Sequence, residues 1–157
     1  MKKLLTIVLL LSSIFCIAQN CKVKKDVDEM KGVIRYIPLD RYSITLMKNV
    51  SIENKLDTIN YAILVIHSAS SDYHAKGYLI KFEDGSILKD INQDIDCSYE
   101  GSYDYRMTAF FRADKELINA LTTKKVVKVQ LDIYASEIKD KEANKIQDQV
   151  KCMIDYW

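Results

Sequence analysis

The alternation of hydrophobic and polar residues is clearest from Val127 to Ile133, the period of a strand with one buried face. The same period recurs from Tyr105 to Phe111 and predicts a second amphipathic strand. Between these strands, Asp114 can cap a short helix. We expect Leu131 and Phe111 to be core residues. The inward side chains predicted for these two strands and the helix are Tyr105, Met107, Ala109, Phe111, Leu117, Ile118, Leu121, Val127, Val129, Leu131 and Ile133.

Three upstream segments also have the pattern of strands. Val33 to Ile37 is a short apolar run stopped by Pro38, which indicates an edge strand. Tyr42 to Ser51 alternates, and its inward positions include Ile44, Leu46 and Val50. Tyr61 to His67 is almost continuously apolar, which predicts a central strand covered on both faces. The charged stretch from residue 21 to 31 is expected to lie across the surface.

Two further local signals complete the predicted fold. Asp84-Gly85 between apolar runs indicates a hairpin with a tight two-residue turn. Ser136 can cap a final helix, whose apolar stripe is Ile138, Ile146, Val150 and Met153. We therefore predict an α+β fold: an antiparallel β-sheet or sandwich of about seven strands, with a short inserted helix and a C-terminal helix packed on one face.

The N-terminus has the three parts of a secretory signal peptide. Lys2 and Lys3 are basic, Leu4 to Leu11 is apolar, and Cys16-Ile17-Ala18 offers small residues before Gln19. We predict cleavage after Ala18, giving a signal peptide at 1–18 and a single globular domain at 19–157. The apolar run is shorter than the roughly 20 residues of a membrane span, so none is expected after cleavage.

Export leaves the final compartment open among periplasm, outer surface and medium. Lipid attachment at Cys16 or Cys21 is not expected, because Phe15 and Asn20 precede them and neither is small. Loss of Lys2 and Lys3 changes the formal net charge from +1 to −1, which gives no electrostatic signal for binding nucleic acid.

Three cysteines remain after cleavage, and an oxidising compartment favours pairing two of them. We predict a disulfide between Cys21 and Cys152, because it would join the two ends of the domain, and a free thiol at Cys97. No metal site or cofactor is predicted, since the sequence has no Cys-x-x-Cys or His-x-x-x-His spacing.

Several segments together resemble small exported bacterial proteins of uncharacterised function, mostly from Bacteroidetes. The resemblance lies in the opening run from Cys21 to Glu29, the hairpin from Ile80 to Ser86, the strand from Lys125 to Tyr134, and the late cysteine Cys152. It covers most of the mature chain loosely. The resemblance implies export and no particular activity or site residue.

Tyr99, Tyr103 and Tyr105, with Arg106, form the candidate binding surface. Tyrosines beside charged groups suit a protein or carbohydrate partner. Tyrosine is also an ordinary strand residue, so the pattern fits a purely structural role too. We interpret the chain as an exported, non-enzymatic binding or structural module.

Two alternatives to that interpretation involve other segments. A small hydrolase would use the loop from Ser68 to His74, with a histidine as base, Asp72 as its orienter and a serine as nucleophile. A calcium-dependent module would use Asp90 to Asp96, where oxygen-bearing residues alternate. The glycine and glutamate that a helix-loop-helix calcium loop requires are replaced by Ile95 and Gly101, and an exposed edge strand has the same alternation.

Overall fold

The computed structural model of the protein describes residues 22–54 and 56–155, so the predicted signal peptide and its cleavage site lie outside the described residues. The elements in chain order are β1 (Val23–Asp28), β2 (Val33–Pro38), β3 (Ile44–Ser51), β4 (Thr58–Ser68), β5 (Lys76–Phe82), β6 (Ile87–Gly101), β7 (Asp104–Arg112), α1 (Lys115–Thr123), β8 (Val126–Leu131), β9 (Tyr134–Glu137) and α2 (Asp140–Asp155).

In the described part of the chain, nine strands form one open sheet in the order β1-β2-β3-β4-β7-β6-β5-β8-β9. Every neighbouring pair is antiparallel, which confirms the predicted sheet type and exceeds the predicted strand count. The long strand β6 joins the two halves of the sheet: it pairs with β5 up to Asp94 and with β7 from Ile95 onward. β4 contacts β8 and β9, so the halves also meet away from β6.

The core lies between the inner faces of the sheet and the two helices. Asp114 caps α1 as predicted, its carboxylate accepting from the Leu117 amide at 2.8 Å. α2 contacts β3 and α1. The side chains buried in this core include Ile44, Leu46, Leu64, Ile80, Phe82, Met107, Leu117, Leu121, Val129, Leu131, Ile146, Val150 and Met153.

The predicted strict alternation after Val126 is only partly right. Val129 and Leu131 are fully buried, but Val127 is half-buried and Ile133 is 75% exposed. The ladder between β5 and β8 shifts register beside Val127, which rotates the earlier residues. Ile133 follows Asp132, which has a positive φ of 51° in the turn before β9. Phe111 is half-buried at the margin of the core.

The final helix begins later than predicted. Ser136 does not cap it, because Tyr134–Glu137 forms β9 and pairs with β8. The Ile138 amide then donates to the Val127 carbonyl, and α2 starts at Asp140. Ile138 is buried, but outside the helix.

Two predictions about the first strands are wrong. The charged segment after Lys22 forms β1 and pairs with β2 over its whole length, so β2 is not the edge of the sheet. Pro38 has no backbone N–H to donate. No hydrogen bond between β2 and β3 is lost there, because the pairing of these strands stops at Tyr36.

The hairpin at Asp84-Gly85 is confirmed, but its loop is longer than two residues. The Phe82 amide donates to the Ser86 carbonyl, which leaves the three residues between them in the loop. Only Gly85 has a positive φ, 83°, which is typical of a three-residue loop whose last residue is left-handed.

Cys97 in β6 is a free thiol, and Cys21 lies outside the described residues, so its pairing with Cys152 stays a prediction. Among the described residues, no helix has the length and apolar character needed to cross a bilayer.

Candidate functional site

A cavity of about 780 Å³ lies at one end of the outer face of the sheet, the face that points away from the core. We call it the outer cleft. Strands β2, β3 and β4 supply its apolar residues, and the β2–β3 loop and the start of α2 supply most of its charged ones. The residues that line the outer cleft are Ile37, Arg41, Tyr42, Ser43, Thr45, Met47, Ile63, Val65, His67, Glu100, Arg106, Lys139, Lys141, Glu142 and Lys145.

The floor of the outer cleft is apolar because β3 and β4 carry large residues on both of their faces. Leu46 and Leu64 point into the core, and their neighbours Met47, Ile63 and Val65 therefore point outward. Ile63 and Val65 are half-buried, so part of each side chain remains open to a ligand. The almost continuously apolar sequence of β4 is therefore the feature from which this floor could have been predicted.

Glu142 fixes the start of α2 against β3. Its Oε1 atom accepts from the Ser43 amide at 3.1 Å and from the Ser43 hydroxyl at 2.7 Å. These two bonds join residues about a hundred positions apart in the sequence. They hold the charged residues around Glu142 beside the floor.

Tyr42 belongs to the β2–β3 loop, and its ring faces Lys145 of α2. The ammonium group of Lys145 lies 5.7 Å from the ring centroid, within cation–π range. Burial raises the pKa of the Tyr42 phenol, and the carboxylates of Asp40, Glu142 and Asp148 raise it further. The phenol is therefore neutral at physiological pH.

Cations outnumber anions around the outer cleft. Five cationic and two anionic side chains line it. Arg106 has a distant partner in Glu100, with Nη1 and Oε1 3.9 Å apart. Arg41, Lys139 and Lys141 form no salt bridge with any residue in the described ranges. The end of the cleft beside α2 therefore has positive charge that no described residue neutralises by direct contact.

At the other end, His67 and Asp104 form an exposed pair. His67 Nδ1 lies 2.9 Å from Asp104 Oδ2. Strand register places His67 directly opposite Arg106, so all three polar side chains lie on the outer face. The pair resembles the base and orienter of a hydrolase, but strand alternation directs the adjacent Ser68 to the opposite face.

The predicted binding residues are divided between the two faces of the sheet. Tyr99 and Tyr105 are cross-strand partners, and their rings lie 5.3 Å apart on the inner side. Arg106 lies on the outer face and lines the outer cleft. Tyr103 is 83% exposed at the tip of the β6–β7 hairpin, with a positive φ of 62°. Arg106 is thus separated from the tyrosines with which it was grouped.

The serine-rich loop forms local turns. The Ser68 hydroxyl accepts from the Ser70 amide, and the Asp72 carboxylate accepts from the His74 amide rather than from its ring. The Ser70 hydroxyl lies 3.2 Å from the hydroxyl of Tyr134 in β9. These contacts connect β4 to β9 and do not assemble a nucleophile with a histidine.

The segment from Asp90 to Asp96 lies in strand β6, not in a loop. Asp94 is 3.6 Å from the ammonium group of Lys76, and the Asp90 carboxylate accepts from the Asn92 amide. No described strand pairs with the first half of β6 on the side opposite β5, so these charges lie along a local edge of the sheet. Within the described ranges, no group of three or more His, Cys, Asp or Glu side chains is arranged to hold a metal ion.

No family model matches the chain, and the searches of curated proteins and of solved structures found no significant match.

Proposed function

We propose that the chain is an exported, non-enzymatic binding module that takes a small ligand in the outer cleft. The proposal rests on the volume of the outer cleft together with the chemical character of the residues that line it. A volume of about 780 Å³ is within the range of small-molecule sites, which are mainly apolar with a few polar groups that fix orientation. The half-buried Ile63 and Val65 supply the apolar contact area.

Binding is favoured over hydrolysis by the placement of the polar groups. His67 has a carboxylate partner, but Ser68 lies on the other face of the strand. The Ser70 hydroxyl contacts Tyr134 and Ser68 rather than a histidine. A hydrolase requires the nucleophile within hydrogen-bond reach of its base, whereas a binding site requires only complementary surfaces.

A protein or carbohydrate partner at the β6–β7 hairpin is the second candidate. It is supported by the exposure of Tyr99 and Tyr103, which are 60% and 83% exposed. Such a partner would contact the hairpin tip and not the outer cleft. The two sites can be separated by substituting Tyr103 and Val65 in turn.

Export rests on the sequence of residues 1–18 and on the resemblance to exported bacterial proteins. N-terminal sequencing of the protein recovered outside the cytoplasm should begin at Gln19. A mature protein that retains Lys2 and Lys3 would contradict the proposed processing.

Occupancy of the outer cleft can be tested with N-phenylnaphthylamine, an uncharged fluorophore whose emission rises in apolar surroundings. We expect saturable binding that is lost in Val65→Asp, because a carboxylate would be placed on the apolar floor. The matched control is Ile87→Asp, which alters a 49% exposed apolar residue of β6 that does not line the cleft. Both variants should retain a cooperative thermal transition.

Val65→Thr is the milder companion variant, since it keeps the branched shape of the side chain and replaces one methyl group with an uncharged hydroxyl. It should lower the affinity for the fluorophore without abolishing binding. Equal binding by the wild type, Val65→Thr and Val65→Asp would overturn the proposed function.

A further inference from the structure

We infer that the ligand of the outer cleft is a single-chain amphipathic acid, with its carboxylate at the α2 end and its apolar chain along β3 and β4. This inference rests on the proposed function and adds the chemical class of the ligand. It follows from the uneven distribution of charge and apolar surface within one cavity.

The α2 end of the cleft supplies the site for the acid. Arg41, Lys139 and Lys141 come from two segments far apart in the sequence, and the Ser43–Glu142 hydrogen bonds hold those segments together. These cations have no salt-bridge partner in the described chain, so a ligand anion would not have to displace one. Hydrogen bonds between such groups and a carboxylate are stronger than those between neutral groups.

The two carboxylates that line the cleft, and Asp104 beside it, do not cancel this preference. Glu142 accepts two hydrogen bonds from Ser43, and Glu100 lies 3.9 Å from Arg106. Asp104 is held by His67 at 2.9 Å. Each of these carboxylates already faces a donor, whereas the three cations at the α2 end are available.

The floor of the cleft, between the α2 end and the end at His67, fits an apolar chain. Ile63 and Val65 follow each other on the outer face of β4, and Met47 lies on the outer face of β3, diagonally across from Ile63. Burial of methylene groups on such a surface favours binding of an apolar chain. A polyanion would leave this surface uncovered, and an uncharged lipid would leave the cations unpaired.

The inference is tested by displacing N-phenylnaphthylamine from the whole mature protein with three molecules of equal chain length below their micellar concentrations. Dodecanoate, dodecanol and dodecyltrimethylammonium differ only at the head group. We expect the affinity for dodecanoate to be at least about tenfold higher than that for dodecanol. This is roughly the affinity ratio that one charge-assisted hydrogen bond provides. The ammonium compound should bind weakest.

Arg41→Ala combined with Lys141→Ala should lower dodecanoate affinity about tenfold and change dodecanol affinity by less than about twofold. The matched control is Lys81→Ala with Lys89→Ala, which removes two exposed cations that do not line the cleft. Both double variants alter the surface, so loss of folding is not expected.

The outcomes separate the two proposals. Equal affinity for the three head groups would overturn the acid inference and leave the binding function standing. Failure of the fluorophore and of all three molecules to bind would overturn both. Binding to anionic phospholipid vesicles without binding to dodecanoate monomers would also overturn the inference, because the cleft would then recognise a membrane surface.

Discussion

The ammonium group of Lys48 donates a hydrogen bond to the carbonyl oxygen of Ile154 at 3.3 Å. Lys48 is only 3% exposed in the middle of β3, and Ile154 lies in the last turn of α2. The end of a helix has carbonyls without intrahelical donors and a partial negative charge, and a lysine meets both requirements. Lys48 therefore attaches the C-terminal turn of α2 to the centre of the sheet.

Lys48→Met should loosen that turn more than the rest of the protein. The substitution keeps the length of the side chain and removes the donor, which in general costs about 1–3 kcal/mol when a polar partner is left unsatisfied. Hydrogen exchange should become faster for amides 150–154 and stay nearly unchanged in β4. The control is Lys81→Met at an exposed site of β5, and equal exchange in the two variants would contradict this role of Lys48.

Asp84 in the β5–β6 loop is predicted to make the protein sensitive to acid. Its carboxylate lies 2.8 Å from the Lys124 ammonium group and also accepts from Ser86. The hydrogen bond from Lys124, followed by those from Ser86, holds the pKa of Asp84 well below its ordinary value of 3.8. A carboxyl whose pKa is lower in the folded state adds stability above the unfolded pKa, and this stability is lost as pH falls toward the folded pKa.

Asp84→Asn should therefore lower the melting temperature at neutral pH and have a progressively smaller effect below about pH 4. Lys124→Met measured alone and together with Asp84→Asn completes a double-mutant cycle. The coupling between the two substitutions should decrease over the same acidic range. A coupling that is independent of pH would contradict the ion pair.

Tyr78 should lose its phenolic proton only at high pH. Its ring stacks on Phe111 with centroids 4.2 Å apart, and burial, then the charges of Asp90 and Asp114, raise its pKa to about 12. A phenol with a raised folded pKa adds stability below its unfolded pKa of 10.0, which is lost as pH rises through about 12. Tyr78→Phe keeps the stacked ring and should remove both the late step in phenolate absorbance and part of the alkaline loss of stability.

The disulfide between Cys21 and Cys152 remains a prediction, and the described neighbours of both residues favour it. The Lys22 carbonyl accepts from the Leu39 amide, and the Asp40 carbonyl accepts from the Gln149 side chain at 2.6 Å. The start of β1 and the last turns of α2 thus approach the same end of β2. Closing so long a loop should stabilise the fold by about 4–5 kcal/mol, less any strain.

Peptide mapping without reduction should yield one cross-linked fragment that contains Cys152 and Cys21. Cys97 should react with an alkylating reagent after mild unfolding, since it is a half-buried free thiol. A cross-link to Cys97, or three alkylated cysteines in native material, would contradict the pairing.

The local features of the fold could be predicted because short segments specify them. Asp114 before an amphipathic run indicates a helix start, and alternation in β3 identifies Ile44, Leu46 and Val50 as buried. β1 was missed because its four charged residues hide the alternation in a strand that only β2 covers. The position of β9 depends on pairing with β8, which outweighs the capping tendency of Ser136.

The outer cleft could not be predicted because its two parts meet only in the folded protein. The apolar character of Ile63 and Val65 was visible, but nothing near them in the sequence indicated which element would adjoin them. In the sequence, Lys139 and Lys141 are indistinguishable from ordinary solvated residues at the start of a helix. Only the hydrogen bond between Glu142 and Ser43 places them beside the floor. The burial of Lys48 was missed for the same reason, because its partner is Ile154.

The most direct test of ligand binding in the outer cleft is an NMR titration with N-phenylnaphthylamine of isotopically labelled protein comprising residues 19–157. Binding is monitored through the amide chemical shifts. We expect saturable shifts at Met47, Ile63 and Val65, which line the floor, and none at Tyr103 at the tip of the β6–β7 hairpin. Shifts confined to the hairpin, or no saturable shift at the three floor residues, would contradict it.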